Sequence, residues 1–368
     1  KEATDKAFAG AHHVTRLEFI NNRKVPNAIE PRCSNAKYDE GTQSFTLYTT
    51  SQNPHITRLL IAAFELGIPE TKLRVVSPDV GGGFGNKVGI YPGYVCAVVG
   101  SIVTGKPVKW MEDRSETLMS TSFARDFHMR GEIAATADGR IRAVRVKVLA
   151  DHGAFNSTAQ PTKYPAGFFH VFTGSYDLEA AHCEVTGVYT NKAPGGVAYA
   201  CSFRITEAAY LVERLVDVLA LELGMDPAQL RMRNLLRPEQ FPYASPTGWE
   251  YDSGDYGRAL QLALQKIGYD DLRREQVEKR ARGELMGIGI SSVTEIVGAG
   301  PSHTFDILGL KMNDGAELRI HPTGKAILKL GVRSQGQGHE TTFAQIVAEE
   351  LGIPPADMLF LKGYTENT

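Results

Sequence analysis

One pentapeptide pattern constrains this chain more than any other. Glu65-Leu66-Gly67-Ile68-Pro69 recurs as Glu350-Leu351-Gly352-Ile353-Pro354, with a looser copy at Glu222-Leu223-Gly224-Met225-Asp226-Pro227. In each a helix has to stop, because glycine accepts the left-handed C-terminal cap and the proline soon after cannot continue the helix. After the first two an apolar run follows, Leu73-Arg74-Val75-Val76 and Met358-Leu359-Phe360-Leu361, which reads as a strand. Helix, capped turn and strand in the same order in both halves predict related α+β units.

The rest of the periodicity agrees with a mixed fold. Residues 45–49 alternate like a half-buried strand and residues 56–66 have helical spacing. Residues 141–150 read as a strand with Val144, Val146 and Val148 on one face and Arg145 and Lys147 on the other. Residues 205–223 read as a long amphipathic helix carrying Leu211, Leu215, Val218 and Leu219. Breakers cluster between residues 235 and 258, so two domains are expected, 1–245 and 246–368. One charged helix is expected over 257–283, strands from Met286 to the Gln/Gly cluster at 335–338, and a helix from about Thr341. The fold class is therefore α+β: two domains of mixed β-sheets flanked by helices. The chain starts at Lys1 and stops at Thr368 in a polar stretch, so it reads as an internal fragment, the first domain lacking preceding segments and the second incomplete at its C-terminus.

Composition decides the partner class. Lys plus Arg number 40 against 42 Asp plus Glu, a net charge of -2, which leaves no electrostatic case for nucleic acid or an anionic membrane. No apolar run approaches the roughly 20 residues of a membrane span, and no signal peptide is read. Cys33, Cys96, Cys183 and Cys201 are far apart with no CxxC, and read as reduced thiols.

Several motifs are decoys. Gly100 to Lys106 imitates a phosphate-binding loop, but Pro107 stands where the magnesium-binding hydroxyl belongs, so the segment reads as a turn before a strand. Gly81-Gly82-Gly83-Phe84-Gly85-Asn86 follows a strand, yet neither frame completes the dinucleotide fingerprint; it is a tight turn or a loop whose backbone approaches a ligand closely. Asn156-Ser157-Thr158 is a formal glycosylation triplet with no secretion signal to support it, and His12-His13 reads as surface. Gln335-Gly336-Gln337-Gly338-His339-Glu340-Thr341 is more informative. Glutamine amides donate and accept, so they can read a heterocycle edge or a pyrophosphate while glycine permits close approach; the alternative is a polar turn before a helix. In Ala198-Tyr199-Ala200-Cys201-Ser202-Phe203-Arg204 a thiol precedes a helix and Arg204 favours its thiolate. Nucleophile, soft-metal ligand and packed core thiol all remain open there, with His152, His170 and His182 as candidate bases that lack a local signature.

Taken together, these segments resemble the large, molybdenum-binding subunit of the molybdenum hydroxylases, the group of xanthine and aldehyde oxidases. The resemblance runs over nearly the whole chain. It rests on Thr50-Ser51-Gln52-Asn53-Pro54-His55, the 81–87 loop, Arg231-Met232-Arg233-Asn234-Leu235 and the 335–339 segment. Residues 198–204 resemble the A-Y-x-C-S-F-R loop of the aerobic carbon monoxide dehydrogenases, with Ala200 where arginine is common.

The resemblance implies two molybdopterin-binding domains. It places Gly82, Gly83, Phe84 and Gly85 against the molybdenum centre and Gln52 on its oxo ligand. Ala198, Tyr199, Ala200, Gln335, Gln337, Gly338, His339 and Thr341 would contact molybdopterin cytosine dinucleotide. Cys201 would bind copper(I), bridged by sulfide to molybdenum, with Phe203 and Arg204 beside it. The implied reaction takes CO and water to CO2 and passes two electrons to iron–sulfur clusters and FAD on a small and a medium partner subunit, in a dimer of heterotrimers without nucleic acid. The implied location is cytoplasmic, with association with the inner face of the membrane as an option. The family's active-site glutamate lies beyond these residues. The alternatives are a molybdenum hydroxylase of an aldehyde or N-heterocycle, a non-catalytic cofactor-binding subunit, and a structural α+β domain.

Overall fold

The computed structural model describes residues 1–155, 172–194, 206–295 and 315–365. The chain opens with α1 (Glu2–Ala9), β1 (His13–Asn21), β2 (Cys33–Asp39) and β3 (Ser44–Thr49). Helix α2 (Pro54–Leu59) runs on as a π-helix (Leu60–Leu66) and is followed by β4 (Leu73–Val76). Helix α3 (Pro92–Thr104), β5 (Val108–Met111) and α4 (Arg114–Ser120) lead to the long strands β6 (Phe127–Ala135), β7 (Ile141–Gly153) and β8 (Ala180–Tyr189). Helices α5 (Thr206–Glu222) and α6 (Pro227–Asn234) precede a short pair, β9 (Tyr243–Ala244) and β10 (Glu250–Tyr251), and then α7 (Tyr256–Ile267) and α8 (Tyr269–Ala281). The last part holds β11 (Ala316–Ile320), β12 (Ala326–Leu330), α9 (His339–Leu351) and β13 (Met358–Leu361).

The long strands form a sheet in the order β1-β6-β7-β8, and α5 lies across it. Val144, Val146 and Val148 turn inward from β7, as their alternation requires, and meet Leu211, Leu215 and Leu219 of α5 in one core. The helix comes unusually close because β6 carries a glycine there: a Cβ on Gly131 would lie 2.5 Å from Leu215 Cδ1. The start of α5 is pinned as well, by the buried ion pair of Arg125 Nη1 with Glu207 Oε1 at 2.6 Å.

A second sheet runs β4-β3-β2-β5, with Ala36, Leu47 and Val75 fully buried beneath Tyr94, Ala97 and Val98 of α3. The third, β11-β12-β13, repeats part of its plan. In the one, β2 is antiparallel to β3 and β3 is parallel to β4 across α2; in the other, β11 is antiparallel to β12 and β12 is parallel to β13 across α9. The recurring pentapeptides close the two crossover helices, with Gly67 at φ 64° and Gly352 at φ 69° in the left-handed cap. Related α+β units are thus present in both halves.

Three expectations need correction. The charged helix over 257–283 is two helices, broken at Gly268 with φ 66°. Strands do not begin at Met286: among the described residues the next is β11. Among the described residues the chain at 286–295 has no sheet partner, and side chains tie it down. Arg231 Nη2 donates to the Ile290 carbonyl at 2.9 Å, and the Ser292 N–H donates to Glu213 Oε2 at 2.7 Å. His12 is exposed as expected, but His13 Nε2 meets Glu222 Oε2 at 2.7 Å and ties β1 to the end of α5.

The units are joined by backbone. Beyond β13 the chain runs antiparallel to the end of β4, with the Ser77 N–H donating to the Gly363 carbonyl at 2.9 Å and the Thr365 N–H to the Val75 carbonyl at 3.2 Å. Arg58 Nη1 adds a bond to the Thr365 carbonyl at 3.0 Å. This seam brings the carboxyl ends of both parallel strand pairs together, which is where crossover topologies leave a crevice for ligands.

Candidate functional site

Four segments meet at the seam, each leaving the carboxyl end of a strand: 50–53 after β3, 77–87 after β4, 331–338 after β12 and 362–365 after β13. At the centre is Gly83. A Cβ there would fall 2.3 Å from Gln335 Oε1, 2.4 Å from Gln52 Cδ and 2.6 Å from Gln52 Oε1. The two glutamine amides, one from each repeated unit, therefore close on the same glycine. Both occupy the same place in their unit, between the middle strand and the crossover helix.

The glycine loop is held in shape from below. Gly82 has φ 88°, Phe84 φ 52° and Gly85 φ 84°, left-handed residues on both sides of Gly83, and the Phe84 side chain is half exposed. The Gln52 N–H donates to the Lys87 carbonyl and the Lys87 N–H donates to Gln52 Oε1, both at 3.0 Å, so the Gln52 side chain is clamped. Glu30 Oε2 accepts from the Gly81 N–H and from Lys87 Nζ, each at 2.7 Å. The Lys87 side chain is wholly buried, and burial pulls its ammonium below the ordinary value despite the Glu30 carboxylate. Asn86 is buried too, its Oδ1 accepting from Thr121 Oγ1 at 2.9 Å.

On the opposite side the Gln335 N–H donates to Gln337 Oε1 at 2.5 Å, and Gly336 and Gly338 have φ 109° and 77°. Gly338 caps α9, which begins at His339 rather than near Thr341. His339 Nδ1 is buried without a partner among the described residues, and burial, then the Lys362 charge, holds its imidazole below the ordinary value. Thr341 is exposed one turn on, its N–H donating to the Gly338 carbonyl at 3.1 Å. Lys362 pairs with Glu340 and, at 3.2 Å, with Asp79.

Arg333 is a member of the site that sequence reasoning missed. It is 6% exposed; Nε donates to Ser77 Oγ at 3.2 Å, and among the described residues Nη1 and Nη2 have no partner. Ser77 Oγ in turn donates to the Ser51 carbonyl, next to Gln52, at 2.8 Å. An arginine just behind an apolar strand is not a distinctive signal, so nothing in the sequence separated it from the other Arg residues.

Of the site residues expected from sequence, the structure brings together Gln52, Gly82, Gly83, Phe84, Gly85 and Gln335. Gln337 joins them through the backbone of Gln335, while Gly338, His339 and Thr341 form the adjoining helix start. Ala198, Tyr199, Ala200, Cys201, Phe203 and Arg204 lie outside the described residues. Cys33, Cys96 and Cys183 are free thiols, and burial raises both Cys33 and Cys183. Among the described residues no group of three or more His, Cys, Asp or Glu could hold a metal, and no helix is long and apolar enough to cross a membrane. Two amide edges, a bare glycine backbone and a buried cation suit a flat, anionic heterocycle.

Comparison with known proteins gives a consistent picture. The molybdopterin cofactor-binding domain matches residues 1–235, and a second model of the same description matches residues 262–368. The carbon monoxide dehydrogenase large chain of Hydrogenophaga pseudoflava is 57% identical over 357 residues, 96% of this chain and 44% of that one. A crystal structure of the Cu,Mo-CO dehydrogenase in its carbon monoxide reduced state is similar with a TM-score of 0.93 and 55% identity, over 100% of this chain and 47% of that one. Quinoline 2-oxidoreductase from Pseudomonas putida 86 is similar with a TM-score of 0.90 and 34% identity, over 99% of this chain and 46% of that one. The chain spans a little under half the length of these relatives.

Proposed function

We propose, because the chain belongs to the molybdopterin cofactor-binding family, that it is the cofactor-holding part of the large subunit of an aerobic carbon monoxide dehydrogenase. The observation that carries this reading is the cradle at Gly83, where a side chain would fill the space that two glutamine amides share. The residues fit an anionic pterin. With Gln52 Oε1 engaged by the Lys87 N–H, the Nε2 edge of that amide is left to donate, and the clamp holds it in place. Gln335 presents its amide from the facing unit, and the Gly82–Gly85 backbone admits a flat group without side-chain interference. The unpartnered Arg333 nitrogens add positive charge at the seam.

The substrate half is supported by the identity to a carbon monoxide dehydrogenase large chain and by the Ala198-Tyr199-Ala200-Cys201-Ser202-Phe203-Arg204 sequence. Cys201 offers a thiolate, a soft ligand suited to copper(I), with Phe203 and Arg204 beside it in sequence. The cofactor is taken as molybdopterin cytosine dinucleotide, contacted by the 198–201 and 335–341 segments. Bound there, molybdenum with copper would accept the two electrons of CO oxidation, water supplying the second oxygen of CO2 and releasing two protons. The electrons leave through iron–sulfur clusters and FAD on a small and a medium subunit, in a dimer of heterotrimers. The assembly is taken as cytoplasmic or at the inner face of the membrane.

The test is CO-dependent reduction of an acceptor dye by the full-length subunit co-produced with those partners. Activity lost on copper removal with cyanide and restored by copper(I) with sulfide is the expected result. Cys201→Ser is expected to lose copper and CO oxidation while keeping pterin. A fully loaded complex without CO activity would turn the assignment toward an organic substrate, as in the quinoline enzyme's name.

A further inference from the structure

Arg333 presents an unanswered charge. Its guanidinium is almost completely buried, yet among the described residues only Nε is engaged, by an uncharged hydroxyl on Ser77. Asp79 and Glu30 are the carboxylates whose charge it feels, and both are committed elsewhere. Asp79 pairs with Lys362 at 3.2 Å, and Glu30 holds Lys87 Nζ and the Gly81 N–H at 2.7 Å each. A buried cation with no anion is costly, and cost of this kind persists where a ligand supplies the missing charge. The free edge of the guanidinium carries both Nη groups in a planar fork, the geometry that matches two oxygens of one phosphate.

The surroundings narrow the choice of anion. Arg333 sits two residues before Gln335, whose amide reaches Gly83, and its Nη1 would be 3.1 Å from a Cβ on Gly363. Substituting a side chain at either glycine would crowd this space. The same segment ends at the N-terminus of α9, whose dipole also favours negative charge.

We propose that Arg333 anchors a phosphate or diphosphate oxygen of the bound cofactor through its two free Nη groups. This rests on the cofactor reading above and assigns the seam a recognition element for the cofactor's acidic end. Arginine serves better than lysine here, because two parallel donors are used.

The experiment compares the holo-complex of the full-length subunit carrying Arg333, Arg333→Lys or Arg333→Met. Molybdenum per large subunit and fluorescence of the acid-oxidised pterin are measured after extended dialysis. Arg333→Met is expected to retain roughly tenfold less pterin, and Arg333→Lys an intermediate amount. The pterin-free forms of Arg333→Met and the parent are expected to melt at similar temperatures. Pterin retention at the parent level in Arg333→Met overturns the assignment.

Inorganic pyrophosphate and inorganic phosphate are also titrated into the pterin-free parent complex and its variants. Tighter binding of pyrophosphate points to a diphosphate, equal binding to a single phosphate, and binding of neither overturns the anchor. A parent complex that lacks pterin sinks the cofactor reading, and the titration still decides Arg333. If Arg333→Met does not accumulate, Arg333→Lys with parental retention and parental pyrophosphate affinity overturns the proposal.

Discussion

The two βαβ units share a plan and differ in what covers them. In the first, Ala36, Leu47 and Val75 are completely buried under α3, and β5 extends the sheet beside β2. In the second, every residue of β11 is exposed and burial is confined to positions such as Ala326, Leu328 and Ala344. Yet Gln52 and Gln335 arrive at the same glycine. The lesson is that crossover topology aims the rim residues, whereas the cover sets how firmly each unit holds together. A site divided between a thickly and a thinly covered unit should respond differently to damage on its two sides.

The largest expected effect comes from removing the point on which both units converge. Gly83→Ala would place a methyl inside both amides, displacing side chains without disturbing a core. Cofactor retention is expected to fall by roughly a hundredfold, with thermal stability of the pterin-free protein little changed. Molybdenum analysis alongside a melting curve separates the two. Next, cores of unequal cover should yield unequal losses. Leu47→Ala is expected to cost about 3 kcal/mol and Leu318→Ala, on exposed β11, under about 0.5 kcal/mol, read from denaturant unfolding. Equal losses would show that cover does not distinguish the units.

A smaller asymmetry lies in the glutamines themselves. Gln52→Ala leaves the Lys87 N–H without its acceptor and is expected to cost about 1 kcal/mol. Gln335→Ala is expected to be neutral for stability within about 0.5 kcal/mol, while both lower cofactor retention.

The smallest effect is one the units share. His55 in α2 and His339 in α9 both have imidazoles lowered below the ordinary 6.5 by burial, with Arg58 and Lys362 adding to the shift. A lowered histidine is neutral in the folded state and protonated in the unfolded one between the two values. Stability therefore rises with pH through that window and levels off above about 6.5. Acidifying from pH 7 to 5.5 should weaken both units, and His55→Gln with His339→Gln should flatten the slope, as followed by unfolding midpoints.

Much of this was legible from local chemistry. The glycine caps at Gly67 and Gly352 and the inward valines of β7 follow from steric rules that need no tertiary knowledge. The break at Gly268 follows the same local rule, a left-handed glycine cap with Asp270 and Asp271 in the next first turn, but the dense charge on either side masks it as one solvated helix. After Met286 the sequence alternates glycine with Ile288 and Ile290. That pattern describes an extended chain, but a strand also needs a neighbour, and here the neighbours are Arg231 and Glu213. The site was legible as separate glycine and glutamine segments. Their convergence depends on the pairing of residues 363–365 with β4, a contact across nearly 300 positions that no local signal carries.

Gly131 has a further consequence. With no side chain on β6 to stand off Leu215, α5 rests directly on the sheet, and the Arg125–Glu207 pair fixes its first turn from the side. The helix is thereby registered like a dowel in a drilled hole, along its axis and around it. A methyl on Gly131 would lift the whole dowel, and the error would appear at its first turn, where Glu207 meets Arg125.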